Sequence, residues 1–191
     1  MIILVTHNKH KFAEASELAK HYGAELAMPP NGEEKMEIQA DSLKEVSRFA
    51  AAEAYGRIGL PILVDDSGLF VHALGNFPGV YSAPALDTIG TRGILRLMDG
   101  VKDRKAHFEC CVSFADGNSV TSFIGRVNGD ILLAEKGANG FGYDPIFAPE
   151  GYNGKSLAEV EMKEKNMVSH RGKAFEAFFK WYSNERQKRG K

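Results

Sequence analysis

Cysteine, net charge and long apolar runs are scarce in this sequence, and each shortage excludes a class of protein. The two cysteines, Cys110 and Cys111, are neighbours, and neighbours in a strand point to opposite faces, so a disulfide between them would be strained. We therefore expect a reducing compartment, the cytoplasm. No apolar stretch approaches the roughly 20 residues of a membrane span, and the N-terminus lacks the basic start of a signal peptide. A net charge of −1 gives no general attraction to nucleic acid or membranes.

Glycine-rich nucleotide fingerprints, internal repeats and low-complexity linkers are also missing. The sequence therefore supports neither a P-loop nor a dinucleotide-binding motif. What remains is a chain of 191 residues, 43% hydrophobic and 26% charged, which is typical of a soluble globular protein. That length predicts one domain, or one domain with a small second lobe.

Apolar periodicity in the first third of the chain predicts a strand, a helix and a second helix. Residues 2–6 are β-branched and apolar, and residues 9–22 carry apolar side chains at helical spacing. The pattern Ser42-x-x-Glu45 is typical of the capped start of a helix, and Ser156-x-x-Glu159 predicts a later one.

The second half of the chain predicts antiparallel strands and a terminal helix. Residues 108–114 alternate in polarity, and the turn Asp116-Gly117-Asn118-Ser119 separates them from a strand at 120–127. The last helix carries an aromatic stripe, which favours a core or dimer face, at Phe175, Phe178, Phe179 and Tyr182. The fold class expected is α/β with a mixed sheet.

Two adjacent carboxylates mark the clearest candidate site. Residues 62–64 predict a buried strand, and Asp65-Asp66-Ser67-Gly68 follows at once, which we interpret as a strand end and a turn. Buried acids are costly unless a cation or a donor cluster receives them. Mg²⁺ favours one or two carboxylates completed by water and phosphate oxygens. The pair therefore predicts a metal or acid/base site that Glu37 could join; an exposed Asx-turn is the alternative.

The segment Thr6-His7-Asn8-Lys9-His10-Lys11 lies where the first strand turns into the first helix. Backbone N–H groups and the helix dipole meet hydroxyl, amide and ammonium donors there. This arrangement predicts an anion site, plausible for phosphate, with a merely polar strand-to-helix loop as the alternative.

Residues 137–147 combine glycines with two aromatic side chains, Phe141 and Tyr143. Glycines let a backbone approach a ligand closely, and aromatic rings supply flat faces on which a base can stack. A tight turn between strands with two core aromatics is the alternative.

Cationic donors gather at residues 163–173, before the last helix. The planar fork of an arginine suits the O6 and N7 acceptors of a 6-keto purine, and a lysine suits phosphate. A solvated helix start is the alternative. It is favoured for Lys163 and Lys173, and it explains the adjacent pair His170 and Arg171 less well.

Together these segments resemble the inosine triphosphate pyrophosphatase family, hydrolases of non-standard purine nucleoside triphosphates. The resemblance runs from Thr6 to Arg171, nearly the whole chain. Five motifs carry it in the right order: Thr6-x-Asn8-x-x-Lys11, Asp65-Asp66-Ser67-Gly68-Leu69, Phe77-Pro78-Gly79-Val80-Tyr81-Ser82-Ala83, Gly140-Phe141-Gly142-Tyr143-Asp144-Pro145-Ile146-Phe147 and Ser169-His170-Arg171-Gly172. Two positions depart from the family pattern, His7 after the first threonine and Pro84 after the Ser-Ala pair.

The resemblance implies a fold, an activity and a cofactor. The fold is a long mixed central sheet flanked by helices, with residues 1–191 as a single domain of two lobes around a nucleotide cleft. The activity is Mg²⁺-dependent attack of water at the α-phosphorus of ITP, dITP or XTP, which releases the monophosphate and pyrophosphate. The partners are a purine nucleoside triphosphate and a second copy of the chain, in a homodimer, with no stable nucleic-acid partner and no membrane.

The resemblance also implies roles for individual residues. Asp66 matches the general base and a metal ligand, and Glu37 the other metal carboxylate. The remaining matched positions bind substrate: Thr6, Asn8, Lys9, Lys11 and Lys165 on the triphosphate side, and Ser67, Phe141, Gly142, Tyr143, Asp144, His170 and Arg171 on the nucleoside side.

Two other functions remain as alternatives. A Maf-type nucleotide pyrophosphatase would prefer modified pyrimidines or 7-methylguanosine triphosphate. A non-catalytic nucleotide or RNA binder would use the basic C-terminal tail and the loop aromatics, and its binding would depend steeply on salt.

Overall fold

A computed structural model describes residues 1–30, 32–161, 164 and 169–189. Strands and helices alternate through the first half of the chain, and strands dominate the middle. In chain order the elements are β1 (Ile2–Leu4), α1 (Lys9–His21), β2 (Leu26–Ala27), α2 (Leu43–Ile58), β3 (Ile62–Val71), α3 (Ser82–Leu97), β4 (Lys105–Ala115), β5 (Val120–Ile131), β6 (Phe147–Pro149) and α4 (His170–Arg189). None of the helices in the described ranges is long and apolar enough to cross a membrane.

The strands form a mixed sheet in the order β2-β1-β3-β4-β5-β6. Strand β1 pairs in parallel with β2 and with β3, where Leu4 lies opposite Leu63. Strands β5 and β6 pair antiparallel, with Asp130 opposite Ala148. The expected α/β fold with a mixed sheet is therefore confirmed.

Local sequence signals account for several element boundaries. Ser42 caps α2 by accepting a hydrogen bond from the Glu45 backbone N–H at 3.2 Å. Asp116 Oδ1 accepts from two backbone N–H groups of the turn that joins β4 to β5. The predicted capping box at Ser156 forms, but the helix that it begins is a single 3-10 turn, Leu157–Glu159.

By its internal contacts the chain divides into two compact units. The first comprises Met1–Asp66, Cys110–Gly125 and Arg171–Lys191, and the second comprises Ser67–Glu109 and Arg126–His170. Each unit has its own hydrophobic core.

The core of the first unit is built on the aromatic stripe of α4. Phe175, Phe178 and Phe179 are fully buried and pack with Leu63 of β3 and Ala15 of α1. The prediction that this stripe belongs to a core is confirmed. Cys110 and Cys111 are also buried and form no disulfide, as expected.

The core of the second unit lies between α3 and the far ends of β3, β4 and β5. Leu69, Ile94, Phe108, Tyr143 and Phe147 are among its buried members. Its helix α3 is interrupted at Gly90, whose φ of 65° lies in the left-handed region, where glycine carries no steric penalty.

Candidate active site

The two adjacent carboxylates lie inside β3, which corrects the prediction that the strand ends there. The strand continues through Ser67 and Gly68 to Val71. At Gly68, a Cβ would lie 2.3 Å from the carbonyl oxygen of Gly79, so only glycine permits this close approach. The segment looks like a turn because its residues are poor strand formers, yet the strand runs through it and cations contact both acids.

Asp65 is held by two cations in the first unit. Lys11 Nζ lies 3.0 Å from its Oδ2, and Arg171 Nε lies 3.3 Å from the same oxygen. Arg171 Nη1 also contacts Glu14 Oε2 at 2.8 Å. The Asp65 side chain is 1% exposed and the Arg171 side chain 5%, so this is a buried network of two carboxylates and two cations.

Charge outweighs burial in this network. Burial alone would raise the pKa of Asp65, but Lys11, Arg171 and Lys35 bring that pKa well below its usual range. Burial likewise would lower the pKa of Arg171, yet Asp65 and Glu14 raise it. Asp65 is therefore ionised at neutral pH and serves as a fixed anion.

Asp66 has different surroundings. Its Oδ1 accepts a bond from the Lys35 ammonium, and Lys35 Nζ also lies 3.1 Å from Glu37 Oε1. Burial raises the pKa of Asp66, and Lys35 limits that rise. A carboxylate with a raised pKa is a better proton acceptor than one with a lowered pKa, so of the two acids Asp66 is the candidate for a general base.

The start of α1 positions Lys11 through its cap. Asn8 Oδ1 accepts bonds from the backbone N–H groups of His10 at 3.0 Å and Lys11 at 3.2 Å. Thr6 Oγ1 accepts from the Asn8 N–H at 3.2 Å. Asn8 therefore orders the helix start that places Lys11 against Asp65, and Lys9 is exposed at the first position of the helix.

The residues matched to nucleoside binding lie mostly in the second unit. The Phe141 N–H donates to Asp144 Oδ2 at 2.8 Å, which fixes the loop between them. Tyr143 is buried in the core and donates its hydroxyl to the Ser82 carbonyl at 2.9 Å; burial raises the pKa of this tyrosine to about 12. The loop thus combines a half-buried Phe141 with a Tyr143 that has a packing role.

His170 and Ser67 also belong to the second unit, whereas Lys165 lies outside the described residues. The His170 ring stacks on Phe108 with centroids 4.6 Å apart and planes 8° apart. Ser67 is half-buried on β3, directly after Asp66. The substrate-binding roles of all three stay predictions.

A divalent cation fits the carboxylates of the first unit. Within the described ranges no three histidine, cysteine or acidic side chains converge as a ready metal cage. Mg²⁺ does not require one, since one or two carboxylates with water and phosphate oxygens suffice. Asp66 Oδ2 is buried and has no hydrogen-bond partner in the described part of the chain, and Asp66 already shares one cation, Lys35, with Glu37.

Sequence reasoning missed two residues of this site, Glu14 and Lys35. Glu14 sits on α1 among apolar positions, and its only sequence signal was an acid on the inner face of an amphipathic helix. Lys35 lies in an irregular segment, 31 residues before its partner Asp66. No periodic pattern could have linked the two.

Comparison with known proteins places this geometry in context. A model of the Ham1 family matches residues 2–181. The chain is 46% identical to a dITP/XTP pyrophosphatase of Saccharolobus solfataricus over 97% of its own length and 95% of the relative's. Among solved structures, it is similar to the Ham1 protein of Staphylococcus aureus, with a TM-score of 0.85, 26% identity and coverage of 96% and 98% of the two chains. A HAM1 protein from Coxiella burnetii gives a TM-score of 0.84 at 30% identity and the same coverage.

Proposed function

The chain belongs to the Ham1 family, and from that premise we propose that it hydrolyses the non-standard purine nucleoside triphosphates ITP, dITP and XTP. The products are the nucleoside monophosphate and pyrophosphate, and the reaction clears these nucleotides from the pool. The chain is thus a nucleoside-triphosphate pyrophosphatase. The observation that carries the proposal is the buried pair Asp65 and Asp66, provided with lysines and an arginine, in a chain closely similar to dITP/XTP pyrophosphatases.

Asp66 is the proposed general base. Its carboxylate accepts a proton from the water that attacks the α-phosphorus, and its burial supports this role by raising its pKa. Asp65 cannot take that role because its surrounding cations keep its pKa low. In this proposal Asp66 is the proton acceptor, and Asp65 stays ionised.

Lys11 and Lys165 are the proposed cations for the triphosphate. A lysine ammonium has three donors, so Lys11 can hold Asp65 and still donate to a phosphate oxygen. Positive charge at the phosphates stabilises the negative charge that develops there and on the pyrophosphate leaving group. Thr6, Asn8 and Lys9 complete this side of the proposed site.

Mg²⁺ is the proposed cofactor, held by Asp66 and Glu37. When bound, it would supply charge neutralisation at the phosphate oxygens. Asp66 Oδ2, which is buried and has no hydrogen-bond partner among the residues that the structure describes, supports this assignment. Water and substrate oxygens would supply the other ligands.

Selection of the base is assigned to Ser67, Phe141, Gly142, Tyr143, Asp144, His170 and Arg171. A 6-keto purine offers acceptors to these donors, whereas adenine would bring an amino group against them and leave buried donors unpaired. Such a mismatch should make kcat/KM for ITP about 10⁴-fold or more higher than for ATP. GTP shares the 6-keto oxygen, so its rejection must depend on the 2-amino group.

Product identity in isotopically labelled water tests the reaction. With Mg²⁺, ITP and XTP should yield pyrophosphate and ATP and GTP should not, and the heavy oxygen should enter the monophosphate because water attacks the α-phosphorus. Release of orthophosphate, or label in pyrophosphate, would overturn the assignment.

Replacing Asp66 tests the proposed base. Asp66→Asn should lower turnover by about 10²-fold to 10⁴-fold while ITP still binds. Asp99→Asn, an exposed acid of the second unit, is the control and should leave turnover unchanged. A turnover loss of no more than about threefold in Asp66→Asn, or ~0.7 kcal/mol of barrier, would show that Asp66 is not the base.

The proposal also covers the compartment and the oligomeric state of the enzyme. We infer a cytoplasmic homodimer without a stable nucleic-acid partner, in which residues 1–191 form one domain of two lobes. The two reduced cysteines support the compartment. Analytical ultracentrifugation should give twice the chain mass, and a single-chain mass at micromolar concentration would reject the dimer.

A further inference from the structure

Lys35 occupies an unusual position for a lysine in a site proposed to bind a metal ion. It lies in the irregular segment that precedes α2, and its side chain is 16% exposed. Its ammonium contacts Asp66 Oδ1 and lies 3.1 Å from Glu37 Oε1. Those are the two carboxylates assigned to Mg²⁺ above, so Lys35 bridges the same pair that the metal ion would bridge.

The electrostatics of the pair explain why a cation is needed there. Two carboxylates close together repel each other, and burying one of them without a positive partner is strongly unfavourable. Asp66 is 8% exposed and follows Asp65 directly. An ammonium that contacts both Asp66 and Glu37 offsets part of this cost, and a divalent cation would do the same with twice the charge.

Lys35 and a metal ion would compete for this pair of carboxylates. Lys35 contacts Asp66 Oδ1, the metal ion would reach the neighbouring Oδ2, and two cations at one carboxylate repel each other. The lysine is the more easily moved partner, since four flexible carbons carry its charge. Its segment also lacks the regular hydrogen bonds of a helix or strand. Lys11 has the same flexible side chain, but it is carried by a helix, α1, and pairs with Asp65.

We propose that Lys35 is an internal counter-ion that holds Asp66 and Glu37 together in the metal-free enzyme and leaves them when the metal ion binds. This inference rests on the proposed function, since it takes Asp66 and Glu37 as the metal carboxylates. Lys35 lowers the affinity for the metal ion, and the metal ion releases Lys35 to solvent.

Metal binding without substrate provides the first test. Mn²⁺ titrated into the whole protein, with free Mn²⁺ measured by electron paramagnetic resonance, should bind to Lys35→Met about fivefold or more tightly than to the original protein, the lower end of typical coupling between sites. Lys35→Arg keeps the competing charge and should bind Mn²⁺ no more tightly than the original protein. Lys44→Met, an exposed lysine on α2, changes the net charge equally and should also stay near the original value.

The outcomes separate this inference from the proposed function. If Asp66→Asn leaves Mn²⁺ binding unchanged, the metal assignment of the proposed function is wrong. If Asp66→Asn abolishes binding and Lys35→Met binds no more tightly than Lys44→Met, the metal assignment holds and the counter-ion role of Lys35 is rejected. Circular dichroism checks that each variant is folded.

Amine footprinting tests the movement of Lys35 in the unaltered protein. Saturating Mg²⁺ should increase the acetylation of Lys35, measured by mass spectrometry, by about threefold or more, because the side chain moves from a buried contact into solvent. Acetylation of Lys44 should not change. Equal acetylation of Lys35 with and without Mg²⁺, at concentrations where Mn²⁺ competition shows the site to be filled, would reject the displacement.

Discussion

Replacing Asp65 by asparagine should destabilise the protein far more than replacing an exposed aspartate does. The change removes the charge that receives Lys11 Nζ at 3.0 Å and Arg171 Nε at 3.3 Å. Breaking a buried ion pair by removing one partner costs about 3–5 kcal/mol. Glu14 still receives Arg171 Nη1 at 2.8 Å, so we expect the lower end, about 3 kcal/mol.

Thermal and urea unfolding measure this cost. In a chain of this size 1 kcal/mol lowers Tm by about 2–4 °C, so Asp65→Asn should lower it by about 6–12 °C. The matched control is Asp130→Asn, which removes a contact with Lys105 in which both side chains are about half exposed. Such exposed pairs contribute about 0–1 kcal/mol.

The pKa of Asp65 also predicts how the stability difference between the original protein and Asp65→Asn changes with pH. Lys11, Arg171 and Lys35 outweigh burial and depress the pKa of Asp65 below its ordinary value of 3.8. A depressed pKa stabilises the folded state above the unfolded value and loses that contribution as the pH falls through the folded value. The stability difference between the original protein and Asp65→Asn should therefore be constant at neutral and mildly acidic pH, and should shrink only below pH 3.8.

Two results would refute this reasoning. The first is an Asp65→Asn variant whose unfolding free energy lies within about 0.5 kcal/mol of Asp130→Asn, the scatter of ordinary surface changes. The second is a stability difference that disappears between pH 5 and pH 7, about one pH unit or more above the ordinary range. If Asp65→Asn does not fold, Glu14→Gln provides the same comparison, with an expected cost of about 1.5–3 kcal/mol for the weakened charged contact with Arg171.

Two further predictions concern packing, and a third concerns the titration of a buried tyrosine. Gly68→Ala would place a Cβ 2.3 Å from the Gly79 carbonyl oxygen and should lower the free energy of unfolding by about 1–3 kcal/mol. The control is Gly56→Ala on α2, where the space is open and the geometry helical, and it should not destabilise the protein. Equal unfolding midpoints of the two variants would contradict this prediction. Phe178→Ala should cost about 3–5 kcal/mol in urea unfolding because its ring is fully buried; a loss under about 1 kcal/mol would place the ring outside the core. Burial raises the pKa of Tyr143 from its ordinary 10.0 to about 12, so the free energy of unfolding should fall as the pH rises between these two values. Tyr143→Phe should remove this loss of stability, and an unfolding free energy with the same alkaline pH dependence in the variant would reject the prediction.

Sequence periodicity predicted the parts of the fold that depend on local contacts. The stripe Phe175, Phe178 and Phe179 reports directly which face of α4 is buried, because helical spacing brings these side chains together. Ser42 likewise marks the start of α2, since its hydroxyl accepts a bond from a residue three positions away. In each case the decisive partner lies within one or two helical turns.

The continuation of β3 could not be predicted in the same way. The segment from Asp65 to Gly68 has poor strand propensity, and local reasoning therefore favours a turn. The cations that contact the two acids are distant along the chain: Arg171 lies 106 residues from Asp65, and Lys35 lies 31 residues from Asp66. Site composition was readable from motifs, but the pairing of each acid with its cation was not.

The different surroundings of Asp65 and Asp66 follow from the geometry of a strand. Successive side chains of β3 point to opposite faces, so two adjacent carboxylates cannot share all their partners. Asp65 meets Lys11 and Arg171, which are anchored in α1 and α4. Asp66 meets Lys35, which is carried by an irregular segment.

Because their partners differ, the loss of Asp65 and the loss of Asp66 should have different effects. A cation anchored in a helix provides a permanent partner, so the loss of Asp65 should appear first in the stability of the protein. A cation on an irregular segment can be exchanged for a metal ion, so the loss of Asp66 should appear first in metal binding and turnover. If Asp66→Asn lowered Tm as much as Asp65→Asn and left turnover intact, this division between the two acids would be wrong.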